Sequence, residues 1–200
     1  MNLSLNDQHI LVAGGLGGIG TKTVELLLNE GALVTILTQS QKQAGKSKLI
    51  HENLTIQTTD YSNKVALYKD IKNTQQRCCL SGFISLIGTG RSQKKAFLSA
   101  QESSRIWNIN YFFPRQIAEQ FVKVTMKFCT HSCISNHFIT FCSSIAASCY
   151  LGAPTEYSVA KHALERLTKE LSWKLAPNYR VNCISPGNIY FEGGTWDRIK

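Results

Sequence analysis

Apolar residues in this chain gather in short runs separated by longer stretches in which they return every three or four positions. The runs His9–Ala13, Leu33–Thr38, Leu54–Thr58, Gly82–Ile87, His137–Cys142 and Arg180–Ile184, rich in Val, Ile, Thr and Phe, predict β-strands. The stretches 18–30, 42–50, 62–75, 102–128 and 155–176 predict amphipathic helices. Strands that alternate with helices predict parallel βαβ units, since a parallel pair needs a crossover long enough to hold a helix. The expected fold class is therefore α/β, a doubly wound parallel sheet between two helical layers in a three-layer αβα arrangement. No internal repeat, low-complexity tract or linker breaks the pattern, so residues 1–200 are expected to form one domain.

Composition narrows function more than fold. With 200 residues, 43% of them hydrophobic, the chain can bury a full core alone. No run approaches the roughly 18 consecutive apolar residues that mark a membrane-spanning helix. The apolar run from Ile10 to Ile19 is interrupted by glycines and is preceded by no basic segment, so it predicts a strand entering a turn rather than a secretion signal. A cytoplasmic protein with no membrane partner is the expectation. The seven cysteines, at 78, 79, 129, 133, 142, 149 and 183, lack paired zinc-type spacing. They are expected to be small core residues in a reducing compartment, with no metal site. The net charge is +9, but the basic residues are scattered and only Lys94 and Lys95 adjoin. That distribution argues against a nucleic-acid partner and for a protein that handles anionic small molecules.

Two motifs carry chemistry. Between the first strand and the first helix runs Gly14-Gly15-Leu16-Gly17-Gly18-Ile19-Gly20. In such a turn Gly14 lets the chain reverse tightly and Gly18 lets the backbone approach a pyrophosphate. Gly20 lets the helix lie close to the sheet with its N-terminal amides facing the phosphates. Far downstream, Tyr157 and Lys161 stand four residues apart and share one helical face. A phenol of pKa about 10 is a poor proton donor or acceptor at neutral pH, whereas a cation within a few ångströms stabilises the phenolate and lowers that value. Tyr157 is then able to exchange a proton with a substrate oxygen. Ser143 and Ser144 lie just upstream.

The order of these motifs resembles that of the short-chain dehydrogenase/reductase family over essentially the whole chain. It runs from the Gly-rich turn through Asp60 after the third strand, Asn110 in a helix, Ser144, Tyr157 and Lys161 to Asn182-Cys183-Ile184-Ser185-Pro186-Gly187. The resemblance implies a Rossmann-type fold and an oxidoreductase that transfers a hydride between NADP(H), or NAD(H), and an alcohol or carbonyl. It implies that Tyr157 exchanges the proton and that Ser144 orients the substrate oxygen. Lys161 would lower the Tyr157 pKa and hold the nicotinamide ribose, and Asn110, with Asn108 as its rival, would position a water that relays protons. The implied cofactor contacts are Gly14, Leu16, Gly18, Ile19, Gly20, Thr38, Asp60, Gly88, Tyr157, Lys161, Pro186, Gly187 and Ile189. Asp60 has a second reading, as a helix cap with Ser62.

The departures from the family pattern shape further expectations. Thr38 stands where an acidic residue would bind the adenosine ribose hydroxyls and repel a 2′-phosphate, so NADP is expected over NAD. Lys22, Lys42 and the hydroxyls of Thr38 and Ser40 are the groups expected to hold the phosphate, with Gln39 in place of the Arg of many NADP-using relatives. Ala13 replaces a turn-stiffening Thr or Ser, Ser85-Leu86-Ile87-Gly88 replaces Asn-Asn-Ala-Gly, and Phe191 replaces a hydroxyl residue expected near the nicotinamide. The stretches Ile87 to Arg91 and Gly187 to Trp196 resemble a bacterial branch associated with surface-polysaccharide synthesis, which implies a sugar or sugar-nucleotide substrate. The sequence stops at Lys200 whereas relatives continue for several dozen residues, so the resemblance implies a C-terminally truncated member lacking the last strand and substrate lid. Two other readings stay open: a cofactor-binding member without turnover, and a sugar-nucleotide epimerase or dehydratase. A homodimer is expected through the helices at 102–128 and 155–176, held by Phe112, Phe121, Leu164 and Leu171.

Overall fold

The structure, a computed structural model, describes residues 3–90, 95–129, 137–191, 194 and 197. Six strands form one sheet: β1 (His9–Ala13), β2 (Leu33–Thr38), β3 (Leu54–Thr58), β4 (Leu80–Ser85), β5 (His137–Cys142) and β6 (Tyr179–Ile184). Their order is β3-β2-β1-β4-β5-β6, and every neighbouring pair is parallel. The direction of winding reverses between β1 and β4, which opens a crevice at the carboxyl ends of these strands. The expected α/β sheet is thus present. Strand β4 ends at Ser85, short of the predicted Ile87, because Leu86 leaves the strand after its N–H donates to the Ala13 carbonyl at 2.8 Å. Leu86 and Ile87 are apolar because they line the crevice, and their apolarity reads as strand in sequence.

The helices are α1 (Gly18–Asn29), α2 (Gln41–Lys46), α3 (Lys64–Arg77), α4 (Ala100–Trp107), α5 (Phe113–Phe128) and α6 (Thr155–Lys174). Successive strand residues point to opposite faces, and the sheet divides its apolar residues accordingly. Leu11, Phe83, Ile139 and Phe141 meet Ile117 and Phe121 of α5 and Leu164 of α6 on one face. Ile10, Val12, Val34 and Ile36 meet Val24 and Leu28 of α1 on the other. Phe121 and Leu164 are fully buried, which corrects the expectation that they hold a dimer: both lie on the sheet-facing stripes of their helices. Helix α2 buries no residue and stops at Lys46, well before the predicted position 50, because the backbone turns extended at Ser47 and Leu49 packs on the core from outside the helix. On the α1 side, Arg180, Asn182 and Ile184 of the edge strand β6 stay exposed. The cysteines also depart from the expected core role, since Cys79 and Cys149 are exposed and Cys129 is the buried one among those described. Cys133 lies outside the described residues.

The predicted single helix 102–128 is two helices joined by a π-helical turn at Asn108–Phe112. There the Phe113 N–H donates to the carbonyl of Asn108, five residues back. Pro114 begins α5 without an N–H to give to Asn110, so the α-helical ladder is already broken at this point. The widened turn buries Asn110 completely. Its Nδ2 donates to the carbonyls of Thr89 (3.1 Å) and Ile106 (2.9 Å), and its Oδ1 accepts from the Thr89 N–H at 3.0 Å. The rival Asn108 is exposed. Asn110 thereby fixes the loop that leaves β4.

At the opposite end of the sheet two histidines are held neutral by burial. His9 Nδ1 bonds the Cys78 carbonyl at 3.0 Å and Nε2 bonds Thr35 Oγ1 at 2.9 Å. The His137 ring stacks on Tyr179 with centroids 5.1 Å apart. Burial is the main cause holding both pKa values below the ordinary 6.5.

Two outcomes follow for stability. Asn110→Ala removes three hydrogen bonds from a fully buried position and is expected to cost about 1–3 kcal/mol in urea unfolding, whereas Asn108→Ala should stay within about 0.5 kcal/mol. Because the unfolded chain binds more protons at His9 and His137 than the fold does, unfolding free energy should fall as pH drops below 6.5. His137→Phe, which keeps an aromatic ring against Tyr179, should flatten that slope, and an unchanged slope would assign it to other groups.

Candidate active site

The Gly-rich turn has the shape its sequence requires. Gly14 sits at φ +83°, where a Cβ would lie 2.7 Å from the Leu86 carbonyl carbon. A Cβ on Gly20 would lie 2.1 Å from the Gly14 carbonyl oxygen, and the Gly17 N–H closes the turn on that same oxygen at 3.1 Å. No side chain caps α1, so its first amides are not taken up by a cap. A glycine cradle ahead of uncapped amides fits a dinucleotide phosphate. At Gly18, however, the space beside the Cα is filled by the Phe191 ring.

Across the crevice stand the residues with proton chemistry. Ser144, Tyr157, Lys161 and Gly88 line one cleft with Gly18, Ile19, Pro186, Gly187 and Ile189. Ser144 ends the turn after β5, and its hydroxyl accepts from the Ala146 N–H at 3.2 Å. Lys161 Nζ is almost fully buried and donates to the carbonyls of Cys142 (2.7 Å) and Ile87 (3.3 Å). Gly88 is needed here, since a Cβ on it would lie 2.8 Å from that nitrogen. Burial pulls the ammonium below the ordinary lysine range. Burial also pushes the Tyr157 phenol up, and the hydrogen bond from Ser144 opposes that shift without reversing it. The Lys161 ammonium is directed to backbone carbonyls, and desolvation is the largest influence on the phenol. Asn110 Oδ1 would lie 3.2 Å from a Cβ on Gly88, so Asn110 and Lys161 approach the same loop.

The far end of the crevice is bordered by Gly14, Leu16, Thr38, Gln39, Ser40 and Tyr61. Thr38 is buried, and its Oγ1 accepts from the Ser40 N–H at 3.2 Å. The Ser40 hydroxyl caps α2 through the Gln43 N–H. Asp60 is exposed beside Tyr61 and accepts from the Ser62 N–H (2.8 Å) and hydroxyl (2.7 Å). Those bonds hold its carboxyl below the usual range. The helix cap itself is Asn63, which accepts from Val65 and Ala66, so of the two readings of Asp60 the Ser62 contact is present without the capping role. Lys22 pairs with Glu25 at 2.7 Å. Lys42 instead borders a second cleft, next to Leu16, together with Lys46 and Lys48.

Sequence reasoning missed several of these residues. Lys46 follows Lys42 by one helical turn, a spacing that signals the shared face. Glu156 accepts from the Ser103 hydroxyl (3.0 Å) and from the Trp107 indole N–H, tying the start of α6 to α4. No sequence pattern marks that link. The carbonyls of Ile87 and Cys142 are backbone groups, and the contact of Phe191 with Gly18 spans most of the chain.

The short chain dehydrogenase family matches residues 8–194. Among curated relatives, the 3-ketodihydrosphingosine reductase TSC10 of Saccharomyces cerevisiae is 25% identical over 236 residues, covering 100% of this chain and 69% of that protein. The short chain aldehyde dehydrogenase 1 of Euphorbia lathyris is 28% identical over 196 residues, covering 92% of this chain and 65% of that protein. The chain thus spans about two thirds of the length of these relatives. A short chain dehydrogenase from Leptospira borgpetersenii solved with bound NAD+ shares the fold at a TM-score of 0.83 and 21% identity, over 97% of this chain and 76% of that one. The aldohexose dehydrogenase of Thermoplasma acidophilum does so at 0.78 and 23%, over 92% and 67%. With its parallel sheet, glycine cradle and Ser-Tyr-Lys cleft, the chain belongs to the short-chain dehydrogenase family of NAD(P)-dependent oxidoreductases.

Proposed function

We propose that the protein is an NADP(H)-dependent oxidoreductase that interconverts a carbonyl substrate and its alcohol. The observation that carries this reading is the convergence of Ser144, Tyr157 and Lys161 on the cleft that also holds the Gly-rich turn. The nicotinamide supplies the hydride when bound. The protein's own groups handle the oxygen. Ser144 and Tyr157 lie within hydrogen-bonding reach of each other and together orient a substrate carbonyl. Tyr157 is the group placed to exchange a proton with that oxygen as charge develops on it. Of the three N–H groups of the Lys161 ammonium, two are directed to carbonyls among the described residues, and a ribose hydroxyl is the partner assigned to the third. Asn110 acts by holding the Thr89 loop in place rather than by touching substrate.

The choice of NADP rests on charge at the adenosine end. Thr38 puts no carboxylate at the tip of β2, and Lys42, Lys46 and Lys48 gather beside Leu16, next to that tip. Asp60 and Gln39 border the place assigned to the adenine. The finer substrate reading, a sugar or sugar nucleotide, is supported only by the resemblance of Ile87 to Arg91 and of Gly187 to Trp196. In those stretches Arg91, Glu192, Gly193, Thr195 and Trp196 lie outside the described residues. A homodimer is proposed through the groove between α5 and α6, where Val122, Leu167 and Leu171 line an apolar strip with Arg115 and Lys123 at its rim.

Tyr157→Phe should lower turnover by about 10²–10⁴-fold and leave NADPH affinity unchanged. Turnover equal to the parent would remove the phenol from the chemistry, and the absence of any change in NADPH absorbance with carbonyl substrates would favour an epimerase or a member without turnover. Thr38→Asp should reverse the cofactor order, weakening NADPH by roughly tenfold or more, or 1.4 kcal/mol. Calorimetry that finds NADH the tighter ligand of the parent would reject the preference.

A further inference from the structure

The second glycine of a dinucleotide turn is small so that a pyrophosphate can approach the backbone. Here the space that a Cβ on Gly18 would enter is taken by the Phe191 ring, three of whose atoms lie 2.3, 2.4 and 2.5 Å from that point. The ring meets a second glycine as well. A Cβ on Gly194 would lie 3.0 Å from two of the same ring atoms, and the Gly194 N–H donates to the Phe191 carbonyl at 2.9 Å. The strap that carries the ring is anchored upstream, where the Pro186 carbonyl accepts from the Ile145 N–H at 3.0 Å. Phe191 is still 38% exposed, so it is held by contact with these glycines and not by enclosure.

We propose that Phe191 is a built-in competitor for the cofactor: its ring rests on the pyrophosphate seat and has to swing off before the dinucleotide binds. The proposal rests on the reading of this cleft as an NADP(H) site. The ring is uncharged and offers no hydrogen bond to the α1 amides, so a phosphate outcompetes it there once the two are in exchange. Binding is therefore expected to be limited by the fraction of molecules with the strap open, which lowers both the apparent affinity and the association rate.

The test compares the parent with Phe191→Ala and Phe191→Thr in NADPH titrations and stopped-flow binding, together with amide hydrogen exchange over Gly17 to Gly20. Both variants should bind NADPH roughly tenfold more tightly, through a faster association rate, and should exchange those amides faster than the parent in the absence of cofactor. Phe191→Trp should bind no faster than the parent. Equal affinity and equal exchange in parent and variants would overturn the competitor while leaving the cofactor reading intact. Weaker binding in Phe191→Ala would also overturn it, by showing that the ring covers bound cofactor. Absence of NADPH binding to parent and variants alike would overturn this proposal together with the cofactor reading.

Discussion

The arrangement of the crevice depends on a single desolvated ammonium. Taking a lysine charge out of water costs several kcal/mol, and at Lys161, which is 2% exposed, that cost is offset by carbonyls brought from two different strands. The Cys142 carbonyl at the end of β5 and the Ile87 carbonyl just beyond β4 both accept from it. One side chain therefore sets the spacing between two strand ends and the helix that carries it. The demand spreads outward. Gly88 is left without room for a side chain, and the Ser143 hydroxyl donates to the Lys161 carbonyl at 3.1 Å, binding the turn after β5 to the same helical residue.

Helix α6 is clamped on both sides of the pair it presents. Glu156 receives Ser103 and Trp107 from α4. Two and a half turns later Glu165 receives the Ser185 hydroxyl at 2.5 Å and the Ser148 hydroxyl at 3.5 Å, from the loops after β6 and β5. Each such bond contributes only about 0.5–1.5 kcal/mol, yet bonds at both ends of one segment fix the rotation of the helix about its axis. Tyr157 and Lys161 lie between the clamps, so the phenol faces Ser144 at an angle that neither residue sets alone.

Much of this architecture is legible in the sequence because its signals are local. The strand at His9–Ala13 and the glycines that follow it are marked by composition alone, and the four-residue spacing of Tyr157 and Lys161 places them on one face. The misread features depend on distant partners. Phe121 and Leu164 are apolar helix residues whose sequence gives no sign of which side meets the sheet. The break at Asn108–Phe112 is hidden because the amphipathic pattern runs on through it, although Pro114 is a local cue that the ladder has to change there. The Tyr157 environment is only half legible for a similar reason: the neighbouring cation is visible in the sequence, but the carbonyls that engage it and the burial that raises the phenol belong to the fold.

The π turn also separates two rotational settings within one continuous coil. A turn that makes one hydrogen bond to the fifth residue back accommodates one residue more than an α-helix of the same rise. Upstream of it, Ser103 and Trp107 keep the phase that reaches Glu156; downstream, Ile117 and Phe121 keep the phase that reaches the sheet. Forcing these residues into a regular helix without removing one would turn one half by about 100° against the other, as 3.6 residues per turn require. Either α4 would lose its hold on the start of α6, or α5 would lift its apolar stripe from the core. The wide turn is thus what reconciles the two faces along one coil, even though most of the side chains around it are exposed or half-buried.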